Sequence, residues 1–517
     1  MSRLENSAKN IALAFCSNFF ESALGIISRT VFIYILGSEY LGLAGLLGNI
    51  LGFLSISELG IATAIGFSLY KPLAQKDYEA VSALMSLYRK AYIIISVIVS
   101  VGGIGLFFFI DFFISPEQQP PETKFAYFVF LFNTVLGYLL SYKITLINSD
   151  NQAYRLTPIN MLMSLIQVVC QISLLLIYKS YVVYLIVIIV CSVTRMIWSN
   201  IYISKRYPKV NFYSKEKLDD EVKHQLKRNV GGLIISKIGD YLVNSTDNLI
   251  ITKLVSLAAT GIYSNYLLIR NMVNGYIGTV FSGISASMGN VVATENDDKK
   301  KEIFEALMFS AFFIYSFEAS CFMCLFNDFI GKIWLGEKFV FDTFTVAIIV
   351  INNYLTGLRI PLITMKGAAG KHMEDAWVPF GFAVVNLVSS IILAKYMGVA
   401  GVFLGTIIGS LLTADWYRPL VIYRHVFHCS VGQYFKVYIK YIILGFLYIA
   451  AAYGICVFIN TGLAYVDFIL KALIAAIVPV MLNVLIFRRN KEFIYIKSMF
   501  QRLVNLILKK FKRNRTK

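Results

Sequence analysis

The chain has 517 residues, of which 57% are hydrophobic and 15% charged, against about 25% charged in an average soluble domain. Lysine and arginine total 48 against 30 acids, a formal net charge of +18, and the mean hydropathy is +0.67. These figures exclude a soluble enzyme, a disordered chain and a secreted disulfide scaffold. Long unbroken apolar runs argue against a membrane barrel, whose strands alternate over about 10 residues. An all-α polytopic membrane protein remains.

A crossing of the hydrocarbon layer needs about 20 apolar residues. On that rule, helices fall at 11–36, 41–69, 91–113, 125–147, 157–178, 181–203, 230–255 and 261–290. Further helices follow at 304–326, 343–365, 377–397, 399–423, 436–459 and 464–487. This reading gives about 14 transmembrane helices, with tight hairpins at Lys179-Ser180 and Met397-Gly398 and both termini on one side. Residues 1–10 are polar and the first run is too long for a cleaved leader, so the first helix is expected to remain as an anchor.

Basic residues mark that side. Lys71, Lys76, Arg89 and Lys90, eight lysines and arginines within 204–228, then Lys299, Lys300, Lys301 and Arg424 fall on one set of segments. The opposite loops hold little beyond Lys124, Lys179, Lys332, Lys338 and Lys395. The positive-inside rule places both termini in the cytoplasm. The tail 488–517 has eleven basic residues and one acid, with Ile496, Phe500, Leu503 and Ile507 at helical spacing. It reads as a basic amphipathic helix on the anionic inner leaflet. The charge follows topology, so membrane lipids rather than nucleic acid are the expected partner.

The seven cysteines lie mostly inside apolar runs. Cys321 and Cys324 form a C-x-x-C flanked by Phe322, Met323, Leu325 and Phe326, a setting for packing rather than for metal or redox chemistry. His425 and His428 have i, i+3 spacing without an acid or cysteine cluster beside them. No phosphate loop or nucleotide fingerprint is present. No cofactor, no metal and no enzymatic reaction are therefore expected.

An offset of 219 residues carries Asn10 onto Asn229, Ser17 onto Ser236, Glu21 onto Asp240, Gly42 onto Gly261 and Ala74 onto Ala293. Span order repeats at the same offset. Six spans separate the copies, so they run parallel, as in transporters whose halves are related by an axis along the membrane normal. The expected architecture is two parallel six-helix lobes, 1–203 and 229–423, joined by a linker at 204–228. Two C-terminal helices at 424–487 and the tail at 488–517 complete it.

Two stretches carry a resemblance. Ser55 to Ile65 reads SISELGIATAI and is followed by Tyr70-Lys-Pro-Leu-Ala and Asp77; Asp240 to Tyr263 reads DYLVNSTDNLIITKLVSLAATGIY. With the span count and repeat, these resemble polysaccharide (O-antigen or capsule repeat-unit) flippases of the multidrug/oligosaccharidyl-lipid/polysaccharide exporter superfamily. The resemblance implies a bacterial cytoplasmic-membrane protein. It would move undecaprenyl-diphosphate-linked oligosaccharides from the inner to the outer leaflet by alternating access, for capsule, exopolysaccharide or O-antigen synthesis. A polysaccharide polymerase and glycosyltransferases are the partners it implies, and Na⁺ or H⁺ the coupling ion. The alternatives are an ion-coupled small-molecule (multidrug) exporter of the same superfamily and a peptidoglycan lipid-precursor flippase.

A sugar diphosphate needs a hydrated cationic path, and intramembrane charge usually faces such a path. The candidate substrate-binding residues are Arg29, Arg270, Arg359, Lys143 and Lys237, with Lys253 and Lys366 in similar settings. Arginine matches a diphosphate in a bidentate way, whereas lysine acts as a point charge. The three arginines either line a cavity or form interhelical ion pairs; Lys143, Lys253 and Lys366 either join them or snorkel at helix ends. Related flippases are similar in placing basic side chains on helices 1, 8 and their neighbours. For ion coupling the candidates are Asp240, Glu21 and Asp247, with Asp240 alternatively pairing with Lys237 at i, i+3 spacing. Asp415 and Arg418, also at i, i+3, are expected to neutralise each other, Glu58 to end a helix or pair, and Pro361 to kink the tenth helix.

Overall fold

The computed structural model describes residues 3–54, 58, 61–114, 116–214, 246–369, 374, 375 and 377–494. It divides into two compact units, Met1–Val280 with Pro379–Val402, and Phe281–Val378 with Phe403–Lys517. All regular structure among the described residues is helical. Among the described residues, ten helical stretches are long and apolar enough to cross a membrane, from Cys16–Leu36 to Ala464–Phe487. The chain is a multi-pass membrane protein.

Several spans stand where the apolar runs place them, and the departures have local causes. Tyr78–Phe107 starts earlier than residue 91 because the Asp77 side chain accepts from the Ala80 amide at 3.0 Å and caps the helix inside the charged segment. The run 41–69 is two helices, Ser38–Phe53 and Ile61–Gln75, rather than one. Between them Glu58 accepts a hydrogen bond from Tyr92, so a carboxylate occupies the break in the apolar run. The hairpin at Lys179-Ser180 forms with Lys179 in the left-handed region (φ 47°). At Gly398 (φ 56°, ψ −132°) the helical path of Val378–Leu412 reverses. A methyl group on Gly401 would sit 2.2 Å from the Leu393 carbonyl oxygen, and Ser390 Oγ donates to the Val402 carbonyl at 2.9 Å. The turn is closed with almost no loop. Pro361 lacks an amide for the Gly357 carbonyl, and the tenth span is broken there into Thr343–Leu358 and Ile360–Ala368. Lys237 and Asp240, together with the tail beyond 494, lie outside the described residues.

In the first unit, the helices Ser38–Phe53 and Leu257–Thr294 cross at two glycines. A Cβ on Gly42 would lie 2.1 Å from the Leu257 carbonyl oxygen, and one on Gly261 would lie 2.0 Å from that of Ser38. The offset that carries Gly42 onto Gly261 also carries Ser38 onto Leu257. The two contacts are therefore reciprocal, each joining positions that the 219-residue offset brings into register. Small residues at such crossings allow close van der Waals approach where no hydrophobic force drives helices together.

The second unit packs Asp297–Asn327 against Thr343–Leu358, Gly432–Val457 and Ala464–Phe487. Aromatic rings fill the seam: Phe312 stacks on Tyr441 at 4.5 Å, and Tyr354 donates to the Tyr441 carbonyl at 2.6 Å over Gly445. Cys324 and Cys456 pack with Ala452, Ala475 and Val478, and Cys321 donates weakly to the Ala475 carbonyl. These thiols serve as small apolar side chains.

Candidate functional site

The first unit contains a cavity of about 440 Å³. The first helix, Arg3–Leu36, turns Glu21, Ser28 and Arg29 towards it; these positions recur at helical spacing on one face. Thr157–Tyr178 supplies Ser164 and Gln167, and Tyr181–Arg206 supplies Tyr181, Tyr184 and Arg195. The aromatic wall is rigid, with Phe32 edge-on to Tyr184 at 4.9 Å and Tyr40 against Tyr181 at 4.7 Å.

Two guanidinium groups line this chamber. Arg29 Nη1 donates to the Ser264 carbonyl at 2.5 Å, with Ser264 Oγ at 3.3 Å and Asn265 Oδ1 at 3.4 Å. All three acceptors are neutral, so the charge is oriented without being cancelled. Arg195 Nη2 donates to Ser164 Oγ at 3.2 Å, and among the described residues its buried Nε has no hydrogen-bond partner. The Tyr181 hydroxyl, on the same wall, is also buried and unpartnered. Buried donors without acceptors are costly, and here they line an open space. Among the residues lining the cavity Glu21 is the one carboxylate; it is exposed and accepts from Ser17 Oγ at 3.2 Å. Arg195 was not among the residues selected from the sequence, although it stands amid Val193, Thr194, Met196, Ile197 and Trp198. A charge inside an apolar run is the signal that also marks Arg29.

The remaining candidates have separate environments. Arg270 hydrogen-bonds Tyr263 and reaches Asn271 Oδ1 at 3.3 Å, while its buried Nε has no hydrogen-bond partner; Asp247 lies within electrostatic range of Tyr263. Lys143 is buried rather than snorkelling. Its ammonium donates to Asn200 and to Ser204 Oγ (2.7 Å) and lies 4.6 Å from the Phe212 ring centre. Lys253 is exposed, 5.3 Å over Phe112.

Arg359 and Lys366 belong to the second unit, in a buried charge network. Arg359 Nε is 3.6 Å from Asp415 Oδ1, and its Nη2 donates to Thr356 Oγ1 at 2.8 Å. Lys366 Nζ lies 2.8 Å from Asp375 Oδ1, and Arg418 Nε lies 3.5 Å from Asp375 Oδ2. The expected Asp415–Arg418 pairing is thereby corrected. Both residues lie in the helix Ala414–His425, but Arg359 and Asp375, from other segments, take the place of the i, i+3 neighbour. Of the two readings of Arg359, the geometry gives the ion pair. Removing one charge from a buried pair leaves the other uncompensated. Asp415→Asn is accordingly expected to destabilise the second unit by roughly 3–5 kcal/mol, read as a lowered unfolding midpoint in detergent, with Asp415→Glu less damaging. An unchanged midpoint would contradict the pairing.

A family model described as polysaccharide biosynthesis protein matches residues 35–341. No curated protein sequence matches the chain. The structure is similar to that of the lipid II flippase MurJ in an inward closed conformation, with a TM-score of 0.62 at 14% identity over 92% of this chain and 99% of that one. It is similar to an inward-facing multidrug resistance MATE family transporter of the MOP superfamily, with a TM-score of 0.59 at 14% identity over 78% and 95%. A mutant of the MATE transporter VcmN from Vibrio cholerae gives a TM-score of 0.54 at 11% identity over 82% and 99%. At these identities the likeness is one of fold.

Proposed function

Because the chain belongs to the polysaccharide biosynthesis protein family, we propose that it is a flippase for a polyprenyl-diphosphate-linked oligosaccharide. The observation that carries the reading is the chamber in the first unit, where Arg29 and Arg195 stand among neutral polar partners. A sugar diphosphate cannot enter hydrocarbon, whereas its polyprenyl tail is at home there. Two uncancelled guanidinium groups offset the diphosphate charge in a site sheltered from bulk water, and their planar donor forks match its oxygens. The aromatic and amide groups beside them, Tyr181, Tyr184 and Gln167, suit sugar rings and hydroxyls. A drug exporter selecting cations would instead need carboxylates at this position.

In this reading the protein resides in the bacterial cytoplasmic membrane with both termini in the cytoplasm, and substrate moves by alternating access between the two repeats. Glu21 at the edge of the chamber, with Asp240 at the matching position of the second repeat, is the proposed site of Na⁺ or H⁺ coupling. The test is reconstitution of the whole chain in vesicles with a fluorescent polyprenyl-diphosphate oligosaccharide on one leaflet. Protein-dependent appearance of label on the other leaflet is expected, with no accumulation of a small cationic dye. Dye accumulation without lipid transfer would replace this reading with drug export.

A further inference from the structure

At one end of the second unit, the start of Asp297–Asn327, the start of Gly432–Val457 and the end of Ala464–Phe487 enclose a second cavity of about 260 Å³. This end carries the basic residues Lys299, Lys300, Lys301, Arg424, Arg488 and Arg489. The first three have partners: Lys299 is salt-bridged to Glu302, Lys300 to Asp297, and Lys301 donates to Gln433 Oε1 at 2.6 Å. The cavity itself is lined by Lys436 and Lys440 on one helix face and by Glu305 and Glu492. Among the described residues none of these four forms an ion pair. Tyr434, also on the wall and 2% exposed, has a hydroxyl with no hydrogen-bond partner.

We propose that this cavity binds the headgroup of a membrane phospholipid bearing both a phosphodiester and a primary ammonium, the phosphoethanolamine class. Two ammonium groups meet the phosphate, and two carboxylates meet the amine. The balance of two cations against two anions fits a zwitterion better than an anionic headgroup, which Glu305 and Glu492 would repel. The size is below the roughly 300–1,000 Å³ of drug-sized sites. Beside the cavity, Ile439, Ile443, Leu485 and Ile486 are exposed on the same two helices and offer an apolar track for acyl chains. A quaternary choline headgroup fits less well. It has no N–H for the carboxylates, and three of the five aromatic rings on the wall are already engaged: Lys440 covers Phe487 at 4.7 Å, Tyr441 stacks on Phe312, and Tyr434 stacks on Tyr438.

The experiment uses the full chain in nanodiscs of phosphatidylethanolamine, phosphatidylglycerol and phosphatidylcholine in equal parts with matched acyl chains, followed by native mass spectrometry of the retained lipid. Phosphatidylethanolamine is expected to be retained about ten-fold over the other two, the scale of a charge-assisted hydrogen bond. The Glu305→Gln/Glu492→Gln variant is expected to lose that preference, and Lys436→Gln/Lys440→Gln to lose retention altogether. Both pairs are partly or fully solvent-accessible, and monodisperse elution checks folding. Equal retention of the three lipids, preference for the glycerol or choline headgroup, or variants that hold phosphatidylethanolamine at the wild-type level would each overturn the assignment. Because the readout is lipid retention, its failure leaves the transport reading of the first unit untouched.

Discussion

Arg195→Ala is expected to slow transfer of the lipid-linked oligosaccharide by about ten-fold or more, and Arg29→Ala/Arg195→Ala to reduce it to the protein-free rate. A hydrogen bond to a charged group contributes roughly 1.5–3 kcal/mol, and each 1.4 kcal/mol is about ten-fold. Losing two guanidinium groups also leaves the diphosphate charge unbalanced in a partly desolvated site, so the double variant falls further than the product of the single ones. Arg195 is the cleaner probe. Its one protein hydrogen bond is to Ser164 Oγ, so its removal costs little packing. Arg29 also ties the first helix to Ser264 and Asn265, and its variant is to be read beside an unfolding midpoint. Lysine at position 195 keeps the charge but loses the fork, and an intermediate rate is expected. A double variant that transfers substrate at the wild-type rate would remove the chamber from the pathway.

Gly42→Val and Gly261→Val are each expected to abolish folded, membrane-inserted protein or to leave it without transport. In either copy the new Cβ would meet a backbone carbonyl oxygen at about 2 Å, a contact that no rotamer change relieves. The helices Ser38–Phe53 and Leu257–Thr294 would have to separate, forfeiting the close packing that small residues allow. Alanine already introduces the clash and is expected to be nearly as damaging. Gly45 and Gly48, on the same helix with open space around their Cβ positions, are the controls: alanine there is expected to leave yield and unfolding midpoint close to wild type. Equal tolerance at Gly42 and Gly45 would show that the crossing does not matter.

The reciprocal crossing gives a physical reason for one of the matches read at the 219-residue offset. Gly42 and Gly261 recur because two copies of one backbone contact demand the same absence of a side chain. Apolar runs located most spans by the same directness, since solvation by lipid acts on composition alone. What escaped was tertiary. The pairing rule for i, i+3 residues joined Asp415 to Arg418, but the nearby Arg359 and Asp375, distant in sequence, are their partners. The sequence left Lys143 between cavity lining and snorkelling, because Asn200, Ser204 and Phe212, which enclose it, lie 57 or more residues away. Glu58 interrupts a run that hydropathy averages into one helix, and its Tyr92 partner comes from the separate helix Tyr78–Phe107. Arg195 carried the same signal as Arg29, yet only the fold shows that both face one chamber.

The segment read as a linker begins, in the structure, as a clasp. Tyr207 donates to Asp150 Oδ2 at 2.8 Å, the Asn211 amide to Ser82 Oγ at 2.9 Å, and Ser86 Oγ to the Ser214 carbonyl at 2.7 Å, while Arg89 lies 4.0 Å over the Tyr213 ring. Whatever course the chain takes past Ser214, it departs from a fixed mooring on Tyr78–Phe107 and Thr123–Ser149. A fluorophore at position 214 would therefore travel with those two helices.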